Sequence, residues 1–247
     1  LNVDLNFKNP FNVSRKSASQ FVIKSLNYGH KLGLNKDVLG VINCSINKEL
    51  LNKDKIGVTE YLASKCFVKK DSEVMLIKNS NFSVSPITTH VDIKEVSKKI
   101  KTETIINKVI TIDLWFKKSF NIKPKIAILG LNPHNAELRK NSEERRIIIP
   151  AIIKLKKLGI NLSGPFVSDT IFMADYKSFD VVVGMFHDQV LTPFKTIFKF
   201  DAINITLGLK YLRVSPDHGV AFNLIGRNKA NHTSLLQCIN FVNKFGK

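Results

Sequence analysis

Covalent bracing is nearly absent from this 247-residue chain. Its three cysteines, Cys44, Cys66 and Cys238, are scattered and odd in number, and no two stand at metal-ligand spacing. That excludes a disulfide framework and a zinc-finger spacing, and it points to a reducing, cytoplasmic setting. Long apolar runs are missing too. The longest, residues 147–153, is broken by Pro150 and falls far short of the roughly 20 residues needed to cross a bilayer. The opening LNVDLNFKNPFNVSRK lacks the apolar core of a signal peptide, and the first residue is Leu1, so the chain is expected to begin partway through its gene product. Arginine is scarce: only six of the 38 basic residues. No G-x-G-x-x-G, G-x-x-x-x-G-K-[ST], G-x-S-x-G or H-E-x-x-H occurs, which removes the standard Rossmann and P-loop nucleotide sites, the hydrolase elbow and the zincin helix.

What is present is ordinary globular composition, 44% hydrophobic and 23% charged, with enough chain to bury a substantial core. The net charge of +18 would suit nucleic acid. However, the lysines are spread along the chain with no basic block or RNP-like aromatic motif, and read as a solvated surface. No nucleic-acid partner and no membrane partner is expected.

Apolar periodicity predicts helices over 18–32, 59–66, within 92–119, over 142–158 and around 235–242. It predicts strands at 38–42, 73–77, 82–88, 125–134, 180–189 and 202–209. The alternation of strand and helix is that of an α/β protein, in which sites gather at strand ends. Three of the six histidines follow such strands: His90 after VSPITT, His134 after ILGLNP and His187 after VVVGMF. Together they could hold one divalent metal and leave a coordination position open. Their separations of 44 and 53 residues are not diagnostic, and spacing alone favours separate polar histidines at loop starts. His30 and His232 lie in helical patterns and read as structural. Downstream, Lys195, Asn204 and Arg213 offer two cations and an amide, a complement for phosphate or carboxylate, although chance pairs are common among so many basic residues.

As a set, INKELL (46–51), GVTEYLA (57–63), TTH (88–90), GLNPHNAE (130–137), GPFVSDTIF (164–172), MFHDQVLTPFK (185–195), INITLGL (203–209) and RVSPDHGVAFNL (213–224) resemble the 4-hydroxythreonine-4-phosphate dehydrogenase family of pyridoxal phosphate biosynthesis. The resemblance implies a two-domain α/β/α architecture like that of isocitrate and isopropylmalate dehydrogenases. It places residues 1–52 and 203–247 in one domain and 53–202 in the other. It implies a homodimer with its site near the interface, a fold that takes NAD (or NADP) without the Rossmann fingerprint, and a divalent ion such as Zn, Mg or Co. Matched position by position, His90, His134 and His187 correspond to the family's metal ligands, and Thr59, Lys195, Asn204 and Arg213 to its substrate-binding residues. His218, Asp217 and Asp188 match motif positions without an assigned contact and read as supporting.

The implied reaction is oxidation and decarboxylation of 4-phosphooxy-L-threonine to 3-amino-2-oxopropyl phosphate, with no general base identified. The chain also departs from the family pattern. Val58 stands where the family has a substrate-binding histidine, ELRKNSEERR (137–146) replaces a glycine-rich stretch, and Asn223 and Asn231 replace aspartates. About the first quarter of the usual chain, with its GDPAGIG-like motif, has no counterpart before Leu1, which implies an N-terminally incomplete or diverged member. These departures leave two alternatives: a paralogue acting on a phosphorylated four-carbon sugar acid (threonate or erythronate 4-phosphate), and a non-catalytic remnant of the fold.

Overall fold

The computed structural model describes residues 2–51, 57–66 and 72–246. Eight helices are seen among them: α1 (Arg15–Asn35), α2 (Val58–Lys65), α3 (Ile93–Lys99), α4 (Thr102–Phe120), α5 (Ile149–Lys157), α6 (Ser168–Ile171), α7 (His187–Phe198) and α8 (Thr233–Phe245). Eight strands, β1 (Val41–Ile42), β2 (Val74–Lys78), β3 (Ser83–Thr88), β4 (Ile126–Leu129), β5 (Leu162–Phe166), β6 (Val181–Phe186), β7 (Ile203–Leu207) and β8 (Arg213–Pro216), form one sheet in the order β1-β8-β7-β2-β3-β6-β4-β5.

The strands read as continuous apolar runs because both faces of the sheet are covered. Val74 and Leu76 of β2, Ile126 and Ile128 of β4, and Val181 and Val183 of β6 point to one face. There they meet Ile105, Val109, Ile112 and Phe116 of α4, Leu155 of α5 and Val242 of α8. Their neighbours Met75, Ile77, Ala127, Leu129 and Val182 point to the other, against Ile171 of α6 and Val190, Leu191 and Phe194 of α7. This period-two division, with most of these side chains fully buried, makes a three-layer α/β/α arrangement and bears out the α/β fold expected from the sequence.

The parallel ladders β3·β6, β6·β4 and β4·β5 bring the carboxyl ends of β3, β4 and β6 to one edge. β2 is antiparallel to both β3 and β7, and the sheet is unbroken between β7 and β2. The domain boundary expected at 52–53 lies outside the described residues.

Three local features differ from the periodicity. The helix expected over 142–158 is a π-turn over Glu144–Ile148 followed by α5: Pro150 has no N–H to donate to the residue four before it, so the chain widens there. The strand at 38–42 pairs only at Val41 and Ile42. β5, with Gly164 and Pro165 inside it, and the four-residue β8 have no legible alternation.

His134 opens a run of five left-handed residues, His134, Asn135, Ala136, Glu137 and Leu138, with φ between 44° and 55°. None is glycine, and each such residue costs on the order of 1–2 kcal/mol. The turn is held from outside. Glu144, fully buried, accepts from the backbone N–H of Leu131 and Asn132 at 2.8 Å each, and Asn135 Nδ2 donates to Pro165 O at 2.9 Å. Burial alone would raise the Glu144 pKa, but these bonds outweigh it and hold the carboxyl below its ordinary value. Glu137 is exposed, so Glu137→Gly should raise the unfolding free energy by about 0.5–1 kcal/mol, whereas Glu137→Ala should not. Urea midpoints at unchanged slope measure the difference.

Candidate active site

Where β3 and β6 end, two of the three strand-end histidines come side by side. The rings of His90 and His187 lie 5.8 Å apart, centroid to centroid. Each turns Nδ1 toward a carboxylate: His187 Nδ1 lies 2.6 Å from Asp188 Oδ1, and His90 Nδ1 lies 3.9 Å from Glu60 Oε1. A histidine whose Nδ1 faces a carboxylate keeps its proton there and leaves the lone pair of Nε2 free. Glu60 sits in the first turn of α2 and also accepts from Thr89 Oγ1 at 3.3 Å. Its burial would raise its pKa, yet the hydrogen bonds from His90, its own backbone N–H and Thr89, with the attraction of His90, bring it down to about 2. Glu60 is therefore an anion beside the histidine pair.

The histidines open onto a cavity of about 280 Å³ whose opposite wall comes from β7 and β8. Alternation puts Asn204 and Thr206 of β7 on one face of the sheet, and the antiparallel register sets them across from Ser215 and Arg213 of β8. Arg213 is 2% exposed, and its hydrogen bonds go to neutral groups: Nη1 to Thr206 Oγ1 at 2.8 Å and Nε to Asn43 Oδ1 at 2.7 Å. Among the described residues no carboxylate pairs with it. Burial lowers its pKa to about 10, so the guanidinium stays charged at neutral pH.

Thr59 Oγ1 reaches Thr206 Oγ1 at 3.2 Å, and the buried Asn204 Oδ1 has no hydrogen-bond partner. Lys195 on α7 donates to Asp217 O at 3.1 Å and lies 3.3 Å from Asp217 Oδ2. Burial raises the Asp217 pKa against the pull of Lys195. A buried guanidinium with no direct ion pair, a lysine at the other side and an unsatisfied amide oxygen make a place for a small polyanionic molecule that also carries donors.

Six of the seven residues singled out from the sequence, Thr59, His90, His187, Lys195, Asn204 and Arg213, line this cavity. His134 does not. Although β4 ends at the same edge, the left-handed turn carries His134 outward, where its side chain is 70% exposed and nearest Glu137 at 3.9 Å. Among the described residues no three His, Cys, Asp or Glu side chains are grouped to hold a metal. His30 is buried in α1, as expected of a structural residue; His232 is an exposed residue just before α8 rather than within it.

Sequence reasoning passed over Glu60, Thr206, Asn43 and Lys48. Glu60 and Thr206 lie inside quoted motifs, one residue from Thr59 and two from Asn204; their only signal was that placement. Asp217, read as supporting, holds Lys195. Ser45 Oγ donates to His218 O at the rim.

Because Arg213 is buried among neutral partners, Arg213→Met should leave the ligand-free protein at least as stable as the wild type. Inorganic phosphate should raise the melting temperature of the wild type as its concentration passes Kd, and should have no such effect on Arg213→Met. An unchanged phosphate response in the variant would remove Arg213 from the anion site.

Comparison with known proteins agrees with this geometry. The family model described as pyridoxal phosphate biosynthetic protein PdxA matches residues 1–242. The chain is 38% identical over 234 residues to the 4-hydroxythreonine-4-phosphate dehydrogenase of Sulfurihydrogenibium sp. (strain YO3AOP1), covering 93% of this chain and 72% of that protein. It is 37% identical over 210 residues to the enzyme of the same name from Aquifex aeolicus, covering 83% and 65%. The crystal structure of 4-hydroxythreonine-4-phosphate dehydrogenase from Klebsiella pneumoniae superposes with a TM-score of 0.83 at 28% identity, over 97% of this chain and 74% of that one. With a family match running almost from end to end, and the quoted motifs gathered around one cavity, the chain belongs to the PdxA family of pyridoxal phosphate biosynthetic proteins.

Proposed function

We propose that this chain is a dehydrogenase of 4-hydroxythreonine 4-phosphate. It would oxidise the C3 hydroxyl to a ketone, and the resulting β-keto acid would lose carbon dioxide to give 3-amino-2-oxopropyl phosphate. The observation that carries the reading is the buried Arg213, hydrogen-bonded only to neutral groups, in one small cavity with the His90 and His187 pair. A doubly anionic substrate supplies the negative charge that Arg213 lacks. The names of the relatives supply the substrate.

The chain's own groups divide the work. Arg213 holds one substrate anion in a dry pocket, where its charge acts with little screening. Lys195, steadied by Asp217, holds the other end. Asn204 Oδ1, free of protein donors, accepts a hydrogen bond from the substrate and fixes its rotation, so that the reacting carbon keeps one orientation.

The donor set suits a divalent ion such as Zn, Mg or Co: two imidazoles with Nδ1 committed to Glu60 and Asp188 present Nε2 to the cavity. Such an ion would supply Lewis acidity toward the substrate's hydroxyl oxygen. His134, outside the cavity of its own chain, would reach that ion only from a second protomer, as a homodimer with its site near the interface provides. NAD (or NADP) would supply the hydride acceptor. The cavity of about 280 Å³ has room for the small substrate but not for a dinucleotide as well. Among the described residues no helix is long and apolar enough to cross a membrane.

Val58 also lines the cavity. An apolar group there, in place of the family's histidine, favours a second reading in which a phosphorylated four-carbon sugar acid is the substrate.

NAD reduction measured with 4-hydroxythreonine 4-phosphate and with erythronate 4-phosphate, each with and without added divalent metal, tests the proposal. Metal-dependent turnover of the first substrate is expected. Turnover of the second alone would establish the sugar-acid reading, and no turnover of either by a dimer that binds metal and phosphate would indicate a non-catalytic remnant.

Lys195→Ala should weaken substrate binding by about 1.5–3 kcal/mol, while Lys156→Ala, on the exposed side of α5, should change it little. His90→Ala and His187→Ala should each reduce bound metal. Full stoichiometry and affinity in both variants would refute the metal site.

A further inference from the structure

A second cavity is larger than the one above. It measures about 440 Å³ and lies at the opposite end of the sheet, where β2 finishes and β3 and β7 begin. The six residues of β3 put about 20 Å between the two. Its wall is aromatic. Phe116 and Phe120 come from the end of α4 and Phe241 and Phe245 from the end of α8, with Phe120 and Phe245 edge to face at 4.8 Å and Phe241 and Phe245 tilted against each other at 4.7 Å. Into this wall projects Lys78, the last residue of β2, its Nζ 5.4 Å from the Phe120 centroid and 6.0 Å from that of Phe116.

The polar groups around Lys78 are otherwise engaged. Asp180 Oδ2 accepts from the backbone N–H of Lys125 at 2.7 Å, and Asp201 Oδ1 accepts from Gln237 Nε2 at 3.2 Å. Asn79 Oδ1 takes the backbone N–H groups of Asn81 and Phe82. Among the described residues nothing forms an ion pair or hydrogen bond with Lys78, whose contacts are the two phenyl faces. Burial, opposed by the attraction of Asp180, brings its amine down to about 8. An ammonium on ring faces, beside an open space and without an acceptor, is a half-built anion site. The edge-to-face phenylalanines offer the remaining surface to a flat, apolar body.

We propose that this cavity is a second binding site, for a small aromatic carboxylate whose anionic group pairs with Lys78 and whose ring lies among Phe116, Phe120, Phe241 and Phe245. It shares no lining residue with the cavity of Arg213 and the histidines. It is independent of the proposed dehydrogenase activity, and occupancy needs neither metal nor dinucleotide.

The protein carries its own reporter. Trp115 is the only tryptophan and lies edge to face with Phe120 at 5.2 Å and stacked with Phe241 at 6.4 Å. Titration of the wild-type protein with benzoate, followed by Trp115 fluorescence, should saturate. Benzyl alcohol, of the same shape without the charge, should bind at least tenfold more weakly, and so should benzylamine. This comparison needs no variant. In Lys78→Met, which keeps the apolar stem, benzoate should fall to the level of benzyl alcohol while benzyl alcohol itself is unchanged. Equal binding of benzoate and benzyl alcohol to the wild type, stronger binding of benzylamine, or undiminished benzoate binding to a folded Lys78→Met would each overturn the proposal.

Discussion

A guanidinium buried without a carboxylate is the constraint around which the site is arranged. Taking a charge out of water costs several kcal/mol even after relaxation, and Arg213 recovers part of this through Thr206 and Asn43. Both partners depend on the sheet. Thr206 stands opposite Arg213 because β7 and β8 pair in one register, and Asn43 is in reach because β1 runs parallel to β8, with Val41 beside Arg213. A slip of one residue in either ladder would turn Thr206 or Arg213 to the other face. The pairing of three short strands thereby fixes the polar surroundings of the guanidinium.

The histidine side is arranged on the same principle with the signs exchanged. The Glu60 and Asp188 carboxylates lie beside Nδ1 of His90 and His187. The first turn of α2 supplies both Glu60, which turns His90, and Thr59, which bonds Thr206 beside Arg213. This one helical turn thus touches the histidine half and the Arg213 half of the site together. A substitution at Thr59 or Glu60 is therefore coupled to both halves.

Much of this was legible in the sequence. Strands buried on both faces announce themselves as apolar runs, and a histidine directly after such a run must lie at a strand end. The α/β class and the placement of His90 and His187 follow from that. What could not be read was direction. The periodicity that puts His134 at the end of β4 is blind to the five left-handed residues that turn it outward, because without glycine the only mark of such backbone is the weak preference of His134 and Asn135 for it. Glu60 was hidden for a related reason: a glutamate in the first turn of a helix is what capping and the helix dipole favour anyway. Only its contact with His90 distinguishes it. β8 is four residues long, too short for alternation to register, yet it carries Arg213.

The left-handed run also bears on how far the family likeness extends to this chain. A glycine-rich segment can take positive φ at no steric cost, whereas Glu137 and Leu138 at the start of ELRKNSEERR, with His134, Asn135 and Ala136 before them, must be held there by other bonds. The bonds are present: Glu144 from the π-turn on two backbone N–H groups and Asn135 on Pro165 O. The π-turn exists because Pro150 interrupts the helix that follows. A proline in one element and a glutamate one turn earlier therefore keep a conformation that the turn's own residues disfavour. Backbone strain of this kind persists only where the surroundings over-determine it, and here the strained segment begins at His134, the histidine that the proposed metal site would have to draw from across a dimer.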